Sequence, residues 1–377
     1  MSFSSDLPPA AAEFQQTAAD PTTATKKLRF GVLGTGRITR RMVVALQKNP
    51  HLRVSAIASR DATRARWYAD QYGIPHAFTG YETLLRSDEV DAVYLALPPS
   101  EHFAWGIAAA EHQKHLLCEK PLSCGWAQAR DLDHAFEQHG RQWLDATAWL
   151  HHPRTAAMAG IIASGQLGTI RHLSAAVSFF EPFQSEDHRL SRELGGGSLL
   201  DLGWYAAGLL IWGTGGELPD RIHAIAVDRG PIDVRVSVCG ALGDRWSTTL
   251  NCGYDCATRK WMEIAGDHAS IVCDDFTRPW GDRSPRFWVH DRTGSVRCET
   301  IPGDQEAAMI DDFCLAIDGQ IDLQHRRRQA LATQYLIESI SQAVRDRCEI
   351  ALNPLPEFAA VKRLASPTTA SPATATI

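Results

Sequence analysis

Nowhere does the chain approach the roughly 18 consecutive apolar residues needed to span a bilayer. The first 27 residues also lack the basic start and apolar stretch of an export signal, alternating Ala, Pro and Thr with acids instead. Both absences predict a cytoplasmic protein with no membrane partner. Charge of one sign is equally scarce. Against 38 basic residues stand 44 acidic ones, a formal net charge of −6, which excludes the broad basic footprint of a nucleic-acid binder. The nine cysteines (118, 124, 239, 252, 256, 273, 298, 314, 348) include no C-x-x-C pair, and an odd number in 377 residues is no disulfide framework. They read as buried thiols. Cys252 and Cys256 lack the nearby Cys/His pair that would complete four ligands, so no metal site is expected. What is present is ordinary globular composition, 44% hydrophobic and 22% charged, with length for two domains at ~100–200 residues each. A small-molecule partner follows as the default.

Residues 1–26 and 366–377, rich in Thr, Ala and Pro, read as disordered tails. Between them the pattern changes once, predicting a dinucleotide-binding domain over 27–150 and an α+β substrate and oligomerisation domain over 151–365. In the first part, apolar runs (28–33, 54–58, 90–97, 115–119, 142–146) alternate with segments long enough for crossover helices (38–48, 63–72, 102–112). That alternation predicts parallel strands buried on both faces, a doubly wound α/β sheet. In the second part, period-2 patterns appear: Leu173, Ala175, Val177 and Phe179; Val234, Val236 and Val238; Trp246, Thr248 and Leu250. They predict a large, mostly antiparallel sheet with one packed face, followed by helices near 305–317 and 327–345.

The first strand runs directly into Gly34-Thr35-Gly36-Arg37-Ile38-Thr39. The first glycine permits the tight turn, the second lets the backbone approach a pyrophosphate, and the helix N-terminus receives its charge. Thr39 occupies the third glycine position, which predicts looser helix–strand packing or a shifted helix. At the end of the second strand, the acid expected to bind ribose is replaced by Ser59-Arg60-Asp61, with Arg64 one turn on. Ser59, Arg60 and Arg64 donate to a 2′-phosphate where a carboxylate would repel it, so NADP(H) is favoured and NAD(H) is the alternative. The competing reading makes Ser59 or Asp61 a helix cap with both arginines in solvent.

Two further features carry chemistry. Glu119-Lys120-Pro121 stands at the end of a later strand, where Pro121 restricts Lys120 to extended geometry at the ligand-binding edge of the sheet. Farther on, Gly195-Gly196-Gly197 releases a loop before an apolar helix. There Ser198, Asp201, Tyr205 and Gly208 share one face at i, i+3, i+7 and i+10. A carboxylate on such a helix needs a polar partner.

The order G-T-G-R-I, E-K-P and G-G-G-S-L-x-D-x-G-x-Y resembles the Gfo/Idh/MocA oxidoreductase family, covering about residues 28–365. The resemblance implies a nicotinamide-binding Rossmann domain, an open sheet used for homodimers or homotetramers, and redox chemistry at a carbinol of a carbohydrate or polyol. Tyr205 places the chain with the tyrosine branch, as in glucose–fructose oxidoreductase, dihydrodiol dehydrogenase and the deoxysugar 3-ketoreductases. By the same resemblance Leu97, Pro98 and His102 (in L-P-P-S-E-H, where relatives have T-P-N-x-x-H), with Glu119 and Lys120, border the cofactor. Trp149, His151, His152 and His188 are candidates for sugar contact, alongside Lys120, Asp201 and Tyr205. In the expected mechanism Tyr205 is the general acid/base, Lys120 lowers its pKa, and Asp201 orients Lys120 or a substrate hydroxyl. Two alternatives share this fold: a two-sugar oxidoreductase with tightly held NADP, and a dinucleotide-binding sensor without turnover.

Overall fold

The computed structural model describes residues 27–180 and 183–352, so the two expected tails lie outside the described residues. In the first half β1 (Leu28–Leu33), α1 (Arg37–Lys48), β2 (Leu52–Ser59), α2 (Ala62–Tyr72), β3 (His76–Thr79), α3 (Tyr81–Leu85), β4 (Ala92–Leu95), α4 (Pro99–Glu111), β5 (His115–Cys118), α5 (Trp126–Gln138) and β6 (Trp143–Asp145) follow one another. The six strands pair in parallel in the order β3-β2-β1-β4-β5-β6. The order reverses between β1 and β4, which opens a crevice at their carboxyl ends. Strand β3 has no apolar run to announce it, because it is a sheet edge with both end residues exposed.

The second half contains α6 (Pro153–Ala163), β7 (Ile170–Phe180), α7 (Trp204–Gly213), β8 (Arg221–Arg229), β9 (Ile232–Leu242), β10 (Trp246–Gly253), β11 (Asp255–Gly266), β12 (Ala269–Cys273), β13 (Arg286–Asp291), β14 (Val296–Thr300), α8 (Gln305–Ile317), α9 (Gln324–Asp346) and β15 (Ile350–Ala351). Nine strands form one sheet in the order β14-β13-β12-β11-β7-β10-β9-β8-β15. Among the described strands of this sheet, β7 and β10 pair in parallel and the other neighbours antiparallel. The period-2 residues are buried as their spacing predicts, against α7 and α9; Phe179, at the end of its set, is only partly covered. On the other face, Ile225 and Val227 of β8 stand exposed.

Helix α7 is apolar all round because it is enclosed on every side: Trp204 and the run from Ala206 to Ile211 are buried. The stretch Arg192–Gly213 has the length and hydropathy of a membrane span, yet 78% of its most apolar window is buried inside the protein. Helix α8 takes a different course from its sequence neighbours. It returns to the first sheet, where Met309, Ile310 and Phe313 pack with Phe30, Val32 and Leu46. Phe313 meets Phe30 edge-on at 6.2 Å. The expectation of buried thiols holds for Cys118, Cys252, Cys273 and Cys314 but not for Cys124, Cys239, Cys298 and Cys348, which are exposed, or for half-covered Cys256; all nine are free. Small size alone did not bury them, since the exposed ones sit on outward strand positions or at helix ends.

Candidate active site

The crevice of the first sheet continues into a chamber between the two halves of the chain. Its mouth, with about 850 Å³ of space, is lined by Thr35, Gly36, Arg37, Ser59, Arg60 and Arg64. The inner chamber, about 290 Å³, is lined by Glu119, Lys120, Asp201 and Tyr205 among others. Ile38, Ala96, Leu97, Phe179, His188 and Arg189 border both, so the two spaces are one cleft.

At the mouth, Gly34 has φ +111, and a Cβ there would meet the Ala96 carbonyl oxygen at 2.4 Å, so only glycine fits. A Cβ on Gly36 would meet nothing nearer than 3.9 Å within the protein. Its missing side chain therefore leaves space at the N-terminus of α1, the cradle an anion needs. Thr39 produces no looseness: it is fully buried and its hydroxyl donates to the Gly34 carbonyl at 3.1 Å. At the end of β2 the capping alternative is realised for Asp61, whose Oδ1 accepts from the backbone N–H groups of Thr63 (2.8 Å) and Arg64 (3.1 Å). Ser59 is buried, with its Oγ 3.4 Å from Thr35 Oγ1. Arg60 and Arg64 are both exposed, as that alternative has them, but Arg64 also braces the glycine turn, its Nη2 donating to the Thr35 carbonyl at 2.8 Å.

His102 contacts the cleft only through others. Its ring nitrogens lie 2.8 Å from the Pro121 carbonyl oxygen and 2.9 Å from that of Leu97, tying together the two loops that carry Lys120 and Leu97. Pro98 caps α4 and faces the mouth. Glu119 lies half-buried beneath, accepting from the Tyr94 hydroxyl at 2.6 Å; the enclosure of its carboxyl raises the pKa. The Lys120–Pro121 peptide is cis.

In the chamber Lys120 Nζ donates to Asp201 Oδ1 at 2.5 Å and to the Asp201 carbonyl at 2.9 Å. Asp201 Oδ2 accepts from Arg189 Nε at 2.7 Å and from the Tyr254 hydroxyl at 3.1 Å. Burial by itself would raise the Asp201 pKa, but Lys120 and Arg189 together hold it well below the ordinary carboxylate value. Burial likewise works to discharge Lys120, and Asp201 overcomes it, so the ammonium is held more firmly than usual. Nζ sits 4.8 Å from the centre of the Tyr205 ring. The expected lowering of the Tyr205 pKa is reversed: burial pushes the phenol up by more than Lys120 pulls it down.

The shared helix face needs correction. Residues Leu199–Gly203 form a turn of π-helix, whose extra residue per turn changes which side chains align. Asp201 and Tyr205 both reach the chamber, but Ser198 donates to Asp233 at 2.8 Å and Gly208 lies beside Thr333 of α9. Nor do the three glycines release a loop. A Cβ on Gly196 would strike the carbonyls of His188 and Arg189 at 2.5–2.6 Å, and the tight seat holds residues 188–189 over the cleft. This segment is pinned at the mouth as well, by Asp187 to Arg37 at 2.9 Å.

Three of the four aromatic candidates for substrate contact lie elsewhere. Trp149 is core, edge-on to Trp212 and Phe276; His151 pairs with Asp312 of α8 at 2.6 Å; His152 caps α6 by accepting from the Arg154 N–H. Each is buried where the first sheet meets the second half, and their spacing gave no sign of which side they face. His188 does border the cleft. Sequence reasoning missed Arg189, adjacent to His188, and Tyr254, at the end of β10. It also missed Arg278, Gln305 and Glu306, which line the chamber's remaining wall.

Comparison with known proteins agrees with this architecture. Residues 28–147 match the oxidoreductase family with an NAD-binding Rossmann fold, and residues 155–272 match the GFO/IDH/MocA C-terminal domain. A dTDP-3,4-didehydro-2,6-dideoxy-alpha-D-glucose 3-reductase from Streptomyces antibioticus is 32% identical over 330 residues, 85% of this chain and 98% of that enzyme. A D-xylose 1-dehydrogenase (NADP(+)) from Haloferax volcanii is 38% identical over 218 residues, 57% of this chain and 65% of that enzyme, just under two thirds of its length. Among solved structures, a 3-ketoreductase from Actinomadura kijaniata in complex with NADP and TDP-benzene superposes with a TM-score of 0.79 at 26% identity, covering 85% of this chain and 98% of that one. By both halves of its sequence and by its fold, the chain belongs to the GFO/IDH/MocA family of oxidoreductases.

Proposed function

We propose that this protein is an NADP(H)-dependent oxidoreductase that transfers hydride between the nicotinamide ring and a carbinol or ketone carbon of a sugar or related polyol. The observation that carries the reading is the placement of Lys120, held by Asp201 and lying over the Tyr205 ring, at the inner end of a cleft whose mouth is the Gly34–Gly36 turn. The dinucleotide supplies or accepts the hydride. Gly36 and the start of α1 would receive its pyrophosphate, and Ser59 and Arg60 its 2′-phosphate, with Asp61 spent on the cap of α2. The relatives that carry NADP in their names or structures support the same choice.

Tyr205 is the proton-transfer group. Its phenol, raised above the ordinary value by burial, carries its proton at neutral pH and can pass it to the oxygen of a ketone as hydride arrives at carbon, with Lys120 offsetting the charge left on the phenol oxygen. Lys120, fixed in its charged form, hydrogen-bonds the same or a neighbouring oxygen and offsets the negative charge that develops there. Asp201 positions Lys120, with Arg189 and Tyr254 holding the far side of the carboxylate. The outer face of the nine-stranded sheet, with Ile225 and Val227 exposed, is the surface for a homodimer or homotetramer. The test is parallel titration with NADPH and NADH, followed by nicotinamide fluorescence, and then turnover of keto-sugars and aldoses. Tight NADPH and weak NADH binding is expected, and binding of neither sinks the enzyme reading.

A further inference from the structure

Two buried polar atoms in the wall of the inner chamber have no hydrogen-bond partner among the described residues. Arg278 Nη1 and Gln305 Oε1 are both buried and both without a hydrogen bond, and both residues line the same cavity as Lys120 and Tyr205. They belong to one cluster. Glu306 Oε1 accepts from Arg278 Nη2 at 2.5 Å and from Gln305 Nε2 at 3.4 Å, and it lies 3.0 Å from Arg41 Nη2 of α1. The Thr277 carbonyl also accepts from Gln305 Nε2, at 3.4 Å. Two acceptors on one side therefore fix which end of the amide is nitrogen, and the free atom is the oxygen.

A buried donor and a buried acceptor left open in one cavity are costly unless something completes them. The group that completes both must accept from a guanidinium N–H and donate to an amide oxygen. A primary carboxamide has that pair side by side. Position selects it over a sugar hydroxyl: the cluster is tied through Arg41 to the helix that starts at the glycine turn, beside the apolar Ile38, Met42 and Met309. Those three side chains suit the faces of a flat ring lying between the glycine turn and Lys120.

Resting on the dinucleotide reading above, we propose that Arg278 and Gln305 hold the carboxamide of the nicotinamide. Arg278 donates to its carbonyl oxygen and Gln305 accepts from its NH2. The pair thereby fixes the rotation of the ring about its ribose bond, and so the ring face turned toward Tyr205.

The test is calorimetric titration of the intact protein with NADP and with its 3-acetylpyridine analogue, in which a methyl group replaces the NH2 and the carbonyl stays. Wild type is expected to bind NADP about tenfold more tightly than the analogue, the scale of one lost hydrogen bond to a buried acceptor. Gln305→Met should abolish that difference. Arg278→Gln should weaken both ligands alike, because both keep the carbonyl. Equal affinities in wild type, or a tenfold difference that survives in Gln305→Met, overturns the proposal while leaving the dinucleotide reading intact. Failure of wild type to bind either ligand overturns both. The wild-type comparison requires no substitution, so a variant that fails to fold leaves the test standing.

Discussion

The two ends of the cleft are built on opposite plans. At the mouth, the glycine turn presents backbone and open space, and Arg60 and Arg37 reach into solvent. At the inner end, Lys120, Asp201, Arg189 and Tyr254 engage one another in a closed network. The mouth is mostly backbone and open space for a ligand, whereas the network around Asp201 at the inner end is organised before anything binds. Substitutions at the mouth should therefore act on affinity and cofactor choice, and substitutions at the inner end on turnover and stability.

The sharpest division is expected from Tyr205→Phe. Loss of the proton-transfer group should lower kcat on a confirmed keto-sugar by about 10²–10⁴-fold, with NADPH affinity unchanged in a fluorescence titration. An equal loss of cofactor affinity would break the comparison. Because the phenol pKa is raised, the oxidative direction, which needs phenolate, should accelerate with rising pH into the alkaline range, while reduction stays flat near neutrality.

Asp201→Asn comes next. It leaves Lys120 and Arg189 without their shared counter-charge at a site where the Lys120 and Asp201 side chains are each 13% exposed, and should cost about 3 kcal/mol in denaturant unfolding at pH 7. The folded-state pKa of Asp201 is depressed, so its contribution is complete above the unfolded carboxylate value of ~3.9 and is lost as pH falls through the lower folded value. The gap between wild type and Asp201→Asn should accordingly narrow below pH ~4.

At the mouth, Ser59→Asp places a carboxylate where the 2′-phosphate is expected and should shift the ratio of NADPH to NADH affinity by about tenfold toward NADH. Folding stability should stay within about 1 kcal/mol. The smallest effect belongs to Asp187→Ala. Its partner Arg37 is 68% exposed, but Asp187 also accepts from the backbone N–H and Nη1 of Arg189, so thermal stability should fall by about 1 kcal/mol.

The same division governs how much could be read from the sequence. The mouth was legible because it is contiguous: β1 ends on Gly34-Thr35-Gly36, β2 ends on Ser59-Arg60, and their crossover helix lies between. Lys120, Asp201 and Tyr205 were legible as an ordered set through a family resemblance. Arg189, Tyr254, Arg278 and Gln305 reach the chamber only through the fold of residues 183–195, the register of β10 and the return of α8, all of them long-range consequences of packing. Ser198 and Gly208 were misplaced because a helical wheel assumes 3.6 residues per turn and the π turn does not. Trp149, His151 and His152 were misplaced because packing sets their faces: Trp212 and Phe276 against Trp149, Asp312 of α8 against His151, and the first turn of α6 against His152.

Helix α8 also imposes an order on synthesis. The first sheet is complete once Asp145 has been made, yet the face around Phe30 and Leu46 gains Met309, Ile310 and Phe313 only when Ile317 has been added. At ~5–20 residues per second the interval is on the order of ten to thirty seconds. During that time the amino-terminal sheet waits for the helix that completes its core, so the last-made part of the chain finishes the first-made.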